Sequence, residues 1–268
     1  MLTASIVLYN TPRYQFDKAI ESILNSGCCE LLYVIDNSSN DSRRIIEKRS
    51  PSIRYIHSAN LGYGAGHNLA LHEAIDAGSD YHVVINPDIY FEPSVLCSLV
   101  QFMESHLDAA YVLPRVVYPN GELQYLCKLL PTPLDLFLRR FLPFASLKSN
   151  ERYELRMSGY DKIINPPCLS GCFMFMRMSV LKKYNLFFDE KYFMYCEDFD
   201  LIRRIHRVAK TLYYPDVCIV HEHAKESYKN KKMFWIHLKS AFRYFNKFGW
   251  FFDKERKEMN KEILRELG

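Results

Sequence analysis

The strongest constraint on the fold is the alternation of short apolar runs with helical segments in the first 115 residues. Each apolar run has the length of one β-strand, and each intervening segment has the length of one helix. Strands that alternate with helices form βαβ units and build a mostly parallel sheet flanked by helices. The predicted strands are residues 5–9, 31–35, 53–57, 81–85 and 110–113, and the predicted helices are residues 16–24, 42–48, 69–77 and 93–106.

The rest of the chain comprises an irregular insertion, a return to the sheet and a tail. Residues 116–165 lack a clear period, and Pro119-Asn120-Gly121 predicts a hairpin turn, so we expect a variable insertion on the substrate side. We predict one α/β domain over residues 1–227 and a helical tail over residues 228–268. The later elements predicted for the domain are a strand at 168–176, a turn and helix within 193–209, and a strand at 211–220.

Polar residues follow the first, second and fourth predicted strands: Asn10, Asp36 and Asp88. In parallel α/β sheets ligands bind beyond the carboxyl ends of the strands, so these side chains mark the candidate binding edge. Asp88 follows a buried strand and could bind Mg²⁺ or Mn²⁺ through its carboxylate; the alternative is a turn aspartate after proline. Asp36 could accept hydrogen bonds from a base or ribose, or could cap a turn.

Three alternating glycines, Gly62, Gly64 and Gly66, precede the third predicted helix. Glycines allow a close backbone approach, which suits a phosphate or a ribose. The segment lacks the Gly-Lys-Ser/Thr of a P-loop, and His67 stands where the dinucleotide fingerprint needs its third glycine. The segment is therefore only a weak indication of a nucleotide site.

Three carboxylates lie within four residues where a helix is predicted to begin: Glu197, Asp198 and Asp200. The helix dipole stabilises anions there, and Asp200 faces Arg204 at i+4 as a structural ion pair. Glu197 and Asp198 remain for chemistry, because crowding of like charges raises the pKa of one of them toward that of a useful base. The alternative is an ordinary acidic helix start, but the preceding aromatic residues would desolvate the cluster and favour catalysis.

His221 and His223 follow the last predicted strand. Together with Cys168 and Cys172 they could suggest zinc, but neither the cysteine spacing nor the histidine spacing fits the usual zinc motifs. A histidine that joins Asp88 on a Mg²⁺– or Mn²⁺–diphosphate is the better interpretation, and a structural histidine is the alternative.

The tail is basic and aromatic, whereas the remainder of the chain is close to neutral. Residues 225–268 hold 12 Lys and Arg against 6 Asp and Glu, together with both tryptophans, Trp235 and Trp250. Drawn as one helix, the tail has an apolar face and a basic face, as in helices that lie on anionic membranes; the alternative is a helix packed on the domain. The apolar face comprises Phe234, Leu238, Ala241, Phe242, Phe245, Phe248 and Phe252, and the basic face comprises Lys239, Arg243 and Lys247.

Composition excludes several classes of protein. With 49% hydrophobic and 25% charged residues the chain can bury a core, and it has no apolar run of about 18 residues that could span a membrane. A net charge of +4, with the basic excess confined to the tail, argues against a nucleic-acid binder. The chain starts with a strand rather than a basic leader, so we expect a cytoplasmic protein.

Together these motifs, in this order, resemble the family 2 inverting glycosyltransferases with the GT-A fold. The resemblance covers most of residues 3–227 except the insertion, with Asn86-Pro87-Asp88 standing where the family has its Asp-x-Asp metal motif. Residues 192–201 and 237–244 look most like bacterial rhamnosyltransferases of O-antigen assembly. The other matching segments are residues 6–10, 34–38, 60–68, 170–172 and 188–190, with Pro215, His221 and Ser227.

The resemblance implies transfer of a sugar, L-rhamnose from dTDP-L-rhamnose, to a hydroxyl of a lipid-linked glycan at the cytoplasmic face of the inner membrane. Asp88, aided by His221, would hold Mg²⁺ or Mn²⁺ on the diphosphate, with fewer carboxylates than usual because Asn86 replaces the first aspartate. Asp198 would be the general base, and Glu197 is the alternative base. The donor-binding residues would be Tyr9, Asn10, Asp36, Asn60, Gly62, Gly66, Asn68 and Asn86.

Two other interpretations stay open. The same scaffold could use another donor, such as UDP-galactofuranose or a UDP-hexose, since little in the sequence indicates which sugar is bound. A non-catalytic nucleotide-sugar-binding or membrane scaffold protein would tolerate Asp198→Asn, whereas a transferase would lose roughly 10²–10⁴ of its rate.

Overall fold

The structure, a computed structural model, describes residues 1–136, 151–222 and 231–268, which contain one eight-stranded sheet flanked by helices. The strands are β1 (Leu2–Leu8), β2 (Leu31–Asp36), β3 (Ile53–His57), β4 (Tyr81–Ile85), β5 (Ile89–Phe91), β6 (Ala109–Val117), β7 (Phe173–Arg177) and β8 (Lys210–His221). Their order across the sheet is β3-β2-β1-β4-β7-β6-β8-β5.

The first half of the sheet is parallel and the second half is mixed. β1 pairs in parallel with β2 and β4, β2 with β3, and β6 with β8. β7 runs antiparallel to β4 and β6, and β5 runs antiparallel to β8. Four of the seven neighbouring pairs are therefore parallel, and the predicted mostly parallel α/β architecture is confirmed.

The helices pack their apolar faces on this sheet, as Phe16 and Ile20 of the first helix and Leu96 and Leu99 of the third show by their burial. Residues 42–49 form a 3-10 helix where a short helix was predicted. The α-helices whose bounds lie within the described residues are α1 (Arg13–Asn25), α2 (Tyr63–Asp76), α3 (Ser94–Ser105), α4 (Met178–Tyr184), α5 (Glu197–His206), α6 (Lys231–Phe248) and α7 (Lys254–Leu267).

Two predicted elements begin five or six residues away from their predicted starts. α2 begins at Tyr63 rather than at residue 69, because the glycine-rich segment is itself helical. β7 begins at Phe173 rather than at residue 168, because residues 170–172 turn away to contact the site described below. The predicted hairpin turn is present, with Val117 bridging to Leu123.

The tail consists of two helices rather than the single helix we expected. α6 ends at Phe248, because Gly249 adopts a φ of +107° that breaks the helix. Phe252 therefore does not continue the apolar face of α6 and is 94% exposed. No helix within the described residues is long and apolar enough to cross a membrane.

Part of the predicted apolar face is buried on the domain, as the alternative interpretation proposed. Ala241, Tyr244 and Phe245 of α6 pack in one cluster with Tyr192 and Cys196. The predicted boundary at residue 227, Ser227 and His223 fall within residues 223–230, outside the described residues.

A buried ion pair fastens the tail to the domain. Arg203 of α5, 1% exposed, donates hydrogen bonds of 2.7 and 2.8 Å to the two carboxylate oxygens of Asp253. Its Nε donates to Glu255 at 2.8 Å. Removing one partner of such a pair costs about 3–5 kcal/mol, because the other charge stays buried.

Candidate active site

The first part of the site, the cation side, lies where β5 meets the end of β8. The ladder places Ile89 opposite His221, which brings His221 Nε2 to 3.4 Å from Asp88 Oδ1. The two side chains are only 6% and 12% exposed. The fold therefore brings together the two residues that were predicted to share a metal ion.

Gln124 sets the orientation of the His221 ring. Its Nε2 donates to the carbonyl oxygens of His221 and Val117, so its Oε1 is left to accept from His221 Nδ1 at 3.0 Å. Burial lowers the pKa of His221, but the neighbouring Cys172 thiol and Asp88 carboxylate outweigh burial and raise this pKa to about 10. His221 Nε2 is thus aimed at Asp88 by a hydrogen bond on the far side of the ring.

This pair fits a divalent cation that is also bound by a diphosphate. Asp88 offers a carboxylate oxygen and His221 a ring nitrogen, and a cation would replace the Nε2 proton. Within residues 1–136, 151–222 and 231–268, no three His, Cys, Asp or Glu side chains cluster to hold an ion by themselves. The remaining ligands would come from donor phosphates, in agreement with the replacement of a carboxylate by Asn86.

The second part, the base side, lies at the N-terminus of α5, where Glu197 and Asp198 are the first two residues. The preceding residues Tyr195 and Cys196 have φ values of 70° and 64°. A left-handed conformation costs a non-glycine residue on the order of 1–3 kcal/mol and persists only where the surroundings impose it. This strained entry fixes the direction in which the acidic pair points.

Asp198 and Glu197 differ in burial and in partners. Asp198 is half-buried, and its oxygens accept from the backbone N–H groups of Phe199 at 2.9 Å and Gly171 at 3.2 Å. Glu197 is 5% exposed, and its Oε2 has no hydrogen-bond partner in the described part of the chain.

These surroundings affect the pKa values of the two carboxyl groups differently. Burial raises the pKa of Asp198, whereas the Phe199 N–H and the nearby Lys128 ammonium act in the opposite direction. Burial and the charge of Asp198 together raise the pKa of Glu197 well above its usual range. The pKa shifts of both groups are upward, and the proton of the pair is favoured on Glu197, because Asp198 has two N–H donors that stabilise its ionised form and Glu197 Oε2 has none in the described part of the chain.

Residues 170–172, hereafter the connecting turn, join the two sides. The Gly171 N–H donates to Asp198, and the Gly171 carbonyl accepts from the Tyr63 hydroxyl at 2.9 Å. The same hydroxyl lies 3.0 Å from Asn86 Oδ1, and the Cys172 carbonyl accepts from the Asn86 N–H at 2.8 Å. A Cβ on Gly171 would lie 2.6 Å from Asp198 Cβ, so only glycine fits. The turn therefore fixes Asp198 relative to the segment that precedes Asp88.

The end of β1 is open, whereas the end of β2 is closed. Tyr9 and Asn10 are exposed, and the Asn10 N–H donates to Ser38 Oγ at 2.9 Å. Asp36 is fully buried, and its oxygens accept from the Ser38 N–H at 3.0 Å and the Tyr55 hydroxyl at 2.8 Å. In this conformation Asp36 stabilises a turn, which is the alternative interpretation given above. Contact between its carboxylate and a nucleobase would require these two hydrogen-bond donors to move away.

The predicted phosphate loop needs correction, because its glycines serve packing. Gly66 lies inside α2, and a Cβ there would be 2.9 Å from Val7 Cγ2 of β1. Gly62 has a φ of +112°, and a Cβ there would overlap the carbonyl oxygen of Phe193. These glycines let α2 approach the sheet and the segment before α5 closely.

Asn68 is also a packing residue rather than an open donor ligand. It is buried, its Nδ2 donates to the Phe188 carbonyl and to Glu190, each at 2.9 Å, and its Oδ1 accepts from the Phe188 N–H. Asn60 is half-buried just before α2, and its role at the donor stays a prediction.

The third acidic residue of the cluster is structural, as predicted. Asp200 is fully buried and pairs with Arg204 at 2.6 Å. Lys247 of α6 also contacts Asp200 at 2.6 Å and Asp189 at 2.8 Å. Lys247 therefore binds the domain, which corrects its predicted place on a free basic face.

Sequence reasoning missed three residues of the site, Tyr63, Gln124 and Lys128. Tyr63 lies between Gly62 and Gly64, so the glycine-rich segment could have indicated it as a candidate site residue. Gln124 and Lys128 lie in the insertion without a regular period, and no local pattern distinguishes them.

Comparison with known proteins gives a consistent result. Residues 4–184 match the family model described as glycosyl transferase family 2. The chain is 30% identical over 221 residues to rhamnosyltransferase WbbL of Escherichia coli (strain K12), which covers 80% of this chain and 81% of WbbL. It is 28% identical over 204 residues to the N-acetylglucosaminyl-diphospho-decaprenol L-rhamnosyltransferase of Mycobacterium tuberculosis, which covers 70% of this chain and 65% of that protein.

A solved structure extends the similarity to the fold. The mannosyltransferase PcManGT from Pyrobaculum calidifontis, in complex with GDP-Man and Mn²⁺, superposes with a TM-score of 0.61 at 15% identity. The superposition covers 91% of this chain and 63% of that one. The predicted GT-A-like architecture is thereby confirmed.

Proposed function

The chain belongs to glycosyl transferase family 2, and from this we propose that it transfers L-rhamnose from a nucleotide-diphosphate donor to a hydroxyl of a lipid-linked glycan. Both curated relatives are named rhamnosyltransferases, and one name specifies a diphospho-decaprenol acceptor. We propose dTDP-L-rhamnose as the donor and bacterial surface-polysaccharide synthesis of the O-antigen type as the setting.

The observation that carries this proposal is the connecting turn. It hydrogen-bonds on one side to Asn86, which precedes Asp88, and on the other side to Asp198. A group that suits the leaving diphosphate and a group that suits the attacking hydroxyl are thus both anchored to one short segment of the chain. In-line displacement at a sugar carbon needs this arrangement, since nucleophile and leaving group lie on opposite sides of that carbon.

In the proposed reaction Asp198 accepts the proton of the acceptor hydroxyl. The hydroxyl oxygen forms a bond to the anomeric carbon while the bond from that carbon to the diphosphate oxygen breaks, and the configuration inverts. A divalent cation held by Asp88 and His221 would neutralise the charge of the leaving diphosphate. We assign the base to Asp198 rather than Glu197, because Asp198 is the more exposed of the two and two backbone N–H groups orient its carboxylate.

Release of nucleotide diphosphate tests the donor and the cation. Purified protein, a lipid-linked acceptor and Mn²⁺ or Mg²⁺ are combined with dTDP-L-rhamnose or with UDP-sugars. We expect dTDP release from dTDP-L-rhamnose that stops on chelation with EDTA. Release from a UDP-sugar alone would contradict dTDP-L-rhamnose as the donor. No release from any donor, together with no donor binding by thermal shift, would favour a non-catalytic scaffold protein.

We also propose that the tail contacts an anionic membrane surface, through those of the expected aromatic side chains that the domain leaves exposed. Ala241 and Phe245 are buried on the domain, whereas Trp235 and Phe242 are 65% and 46% exposed. Exposed aromatic side chains on a basic helix are typical of proteins that bind at headgroup level.

Deletion of residues 228–268 is a poor test of docking, because it also removes Asp253 from the buried Arg203. The double variant Trp235→Ser/Phe242→Ser leaves that ion pair in place. We expect it to pellet less with phosphatidylglycerol vesicles while its donor binding stays unchanged. Equal pelleting of variant and wild type would contradict docking through α6.

A further inference from the structure

A groove between the tail and the insertion lies outside the site described above. It has a volume of about 930 Å³, which is within the usual range of ligand sites. Its apolar walls include Leu134, Trp250 and Leu264, and Phe251 lines its edge with 72% of its surface exposed. An exposed apolar concavity of this size is typical of a binding site rather than of an ordinary surface.

The charged side chains in the described lining of this groove are all cationic. Its lining includes five cationic side chains, and none of its described lining residues is Asp or Glu. Lys257 and Lys261 stand one turn apart on α7, and both are exposed. Apolar walls with cationic side chains match an anionic molecule that carries a long hydrocarbon chain. A flat bilayer surface matches such a concavity less well than a single chain does.

A short segment connects the groove to the base. The Leu130 N–H and carbonyl both bond to the side chain of Asn260 in α7, and the Pro131 carbonyl accepts from Arg256. Two residues earlier, the Lys128 N–H donates to the Cys168 carbonyl at 2.8 Å, just before the connecting turn that bonds to Asp198. Thr132, which lines the groove, is four residues beyond Lys128 and so at most about 14 Å away along the backbone.

We propose that this groove binds the hydrocarbon chain and the phosphate nearest to it in a polyprenyl-diphosphate-linked acceptor. The inference rests on the proposed function and adds the place where the lipid lies. With the chain in the groove and the diphosphate near its cationic side chains, the first sugar extends along the Lys128 segment toward Asp198. The exposed Phe251 and Leu134 would face the membrane from which such a lipid is drawn.

Trp250 provides a direct measurement, because the chain has only two tryptophans. In full-length Trp235→Phe protein, Trp250 is the sole tryptophan and lines the groove. Farnesyl diphosphate is the probe, with farnesol and inorganic diphosphate as controls that each lack one half of the ligand. We expect a saturable change in Trp250 emission with farnesyl diphosphate, and binding of either control that is weaker by about tenfold or more.

A matched pair of variants locates the binding. Lys257→Glu/Lys261→Glu in the Trp235→Phe background should weaken farnesyl diphosphate binding by about tenfold or more. Lys182→Glu/Lys183→Glu on α4 makes the same change in net charge away from the groove and should leave binding unchanged. Equal binding by both double variants would overturn the proposal, as would emission that responds to phosphatidylglycerol vesicles but not to farnesyl diphosphate.

Kinetics separate this inference from the proposed function. Farnesyl diphosphate should compete with the lipid-linked acceptor but not with dTDP-L-rhamnose. If rhamnose transfer proceeds without such competition, the proposed function is retained and the proposed lipid binding in the groove is contradicted. If farnesyl diphosphate binds in the groove but the protein neither binds nor turns over any nucleotide sugar, lipid binding is supported and the proposed transferase activity is contradicted.

Discussion

Two aspartates on either side of the connecting turn share a residue type but not an environment. Asp88 faces an imidazole ring that Gln124 holds in place, whereas Asp198 lies beside a second carboxyl group at a half-buried helix start. A facing nitrogen ligand suits a carboxylate for sharing a cation, whereas burial raises the pKa of a carboxyl group and suits it for accepting a proton. The two proposed roles therefore follow from the neighbours of the aspartates rather than from the aspartates themselves.

The largest effects are expected from substitution of the two aspartates, and comparison of the two variants distinguishes their proposed roles. Asp198→Asn keeps the shape of the side chain but removes the base, so kcat should fall by roughly 10²–10⁴ while donor affinity is unchanged. Asp88→Asn should instead weaken donor binding in the presence of Mn²⁺. Steady-state kinetics and calorimetry with dTDP measure the two effects. Equal loss of donor binding in both variants would remove the distinction between the two sides.

Gly171→Ala tests whether the connecting turn sets the distance between the two sides. The added Cβ would lie 2.6 Å from Asp198 Cβ and must displace that side chain. A displacement of about 1 Å can cost about 10²-fold in rate, so we expect a loss of that order in kcat with donor binding retained. Thermal unfolding of the variant serves as its control. A rate equal to that of wild type would show that Asp198 need not be held by the turn.

Gln124→Leu tests the cation side through the ring it orients. Loss of the hydrogen bond to His221 Nδ1 should weaken Mn²⁺ binding by about 10–100-fold, as for other groups that orient metal-binding histidines. Electron paramagnetic resonance of free Mn²⁺ in the presence of dTDP measures the change. Gln101→Leu, an exposed glutamine of α3, is the matched control. Unchanged affinity in Gln124→Leu would mean that the ring needs no support.

The repeating pattern of strands and helices could be predicted because burial imposes it on every residue of an element. Residues 53–57 and 81–85 have the predicted bounds, and each ends at the functional edge of the sheet. The acidic pair at the start of α5 could be found because a helix start and preceding aromatic residues are local signals. These predictions depended only on neighbours in the chain.

Features that depend on distant contacts could not be predicted in the same way. A helical projection shows that α6 has an apolar face but not that Phe245 is covered by the domain while Trp235 is exposed. Gly66 has the same appearance in the sequence whether it faces a phosphate or Val7. Gln124 reaches His221 across 97 residues of chain, and no local spacing encodes that contact.

The smallest expected effect concerns Glu197 and the pH dependence of the base. Because burial raises the pKa of Asp198, the rate should fall on acidification at a pH above the ordinary range of aspartate, as the carboxylate becomes protonated. Glu197→Gln resembles the protonated form of Glu197, so kcat should change by less than about tenfold and this acidic limb should stay in place. If Glu197 were ionised at the working pH, its removal would lower the pKa of Asp198 and move the limb to lower pH. Profiles of kcat/KM against pH for wild type and Glu197→Gln therefore show which of the two carboxyl groups carries the charge.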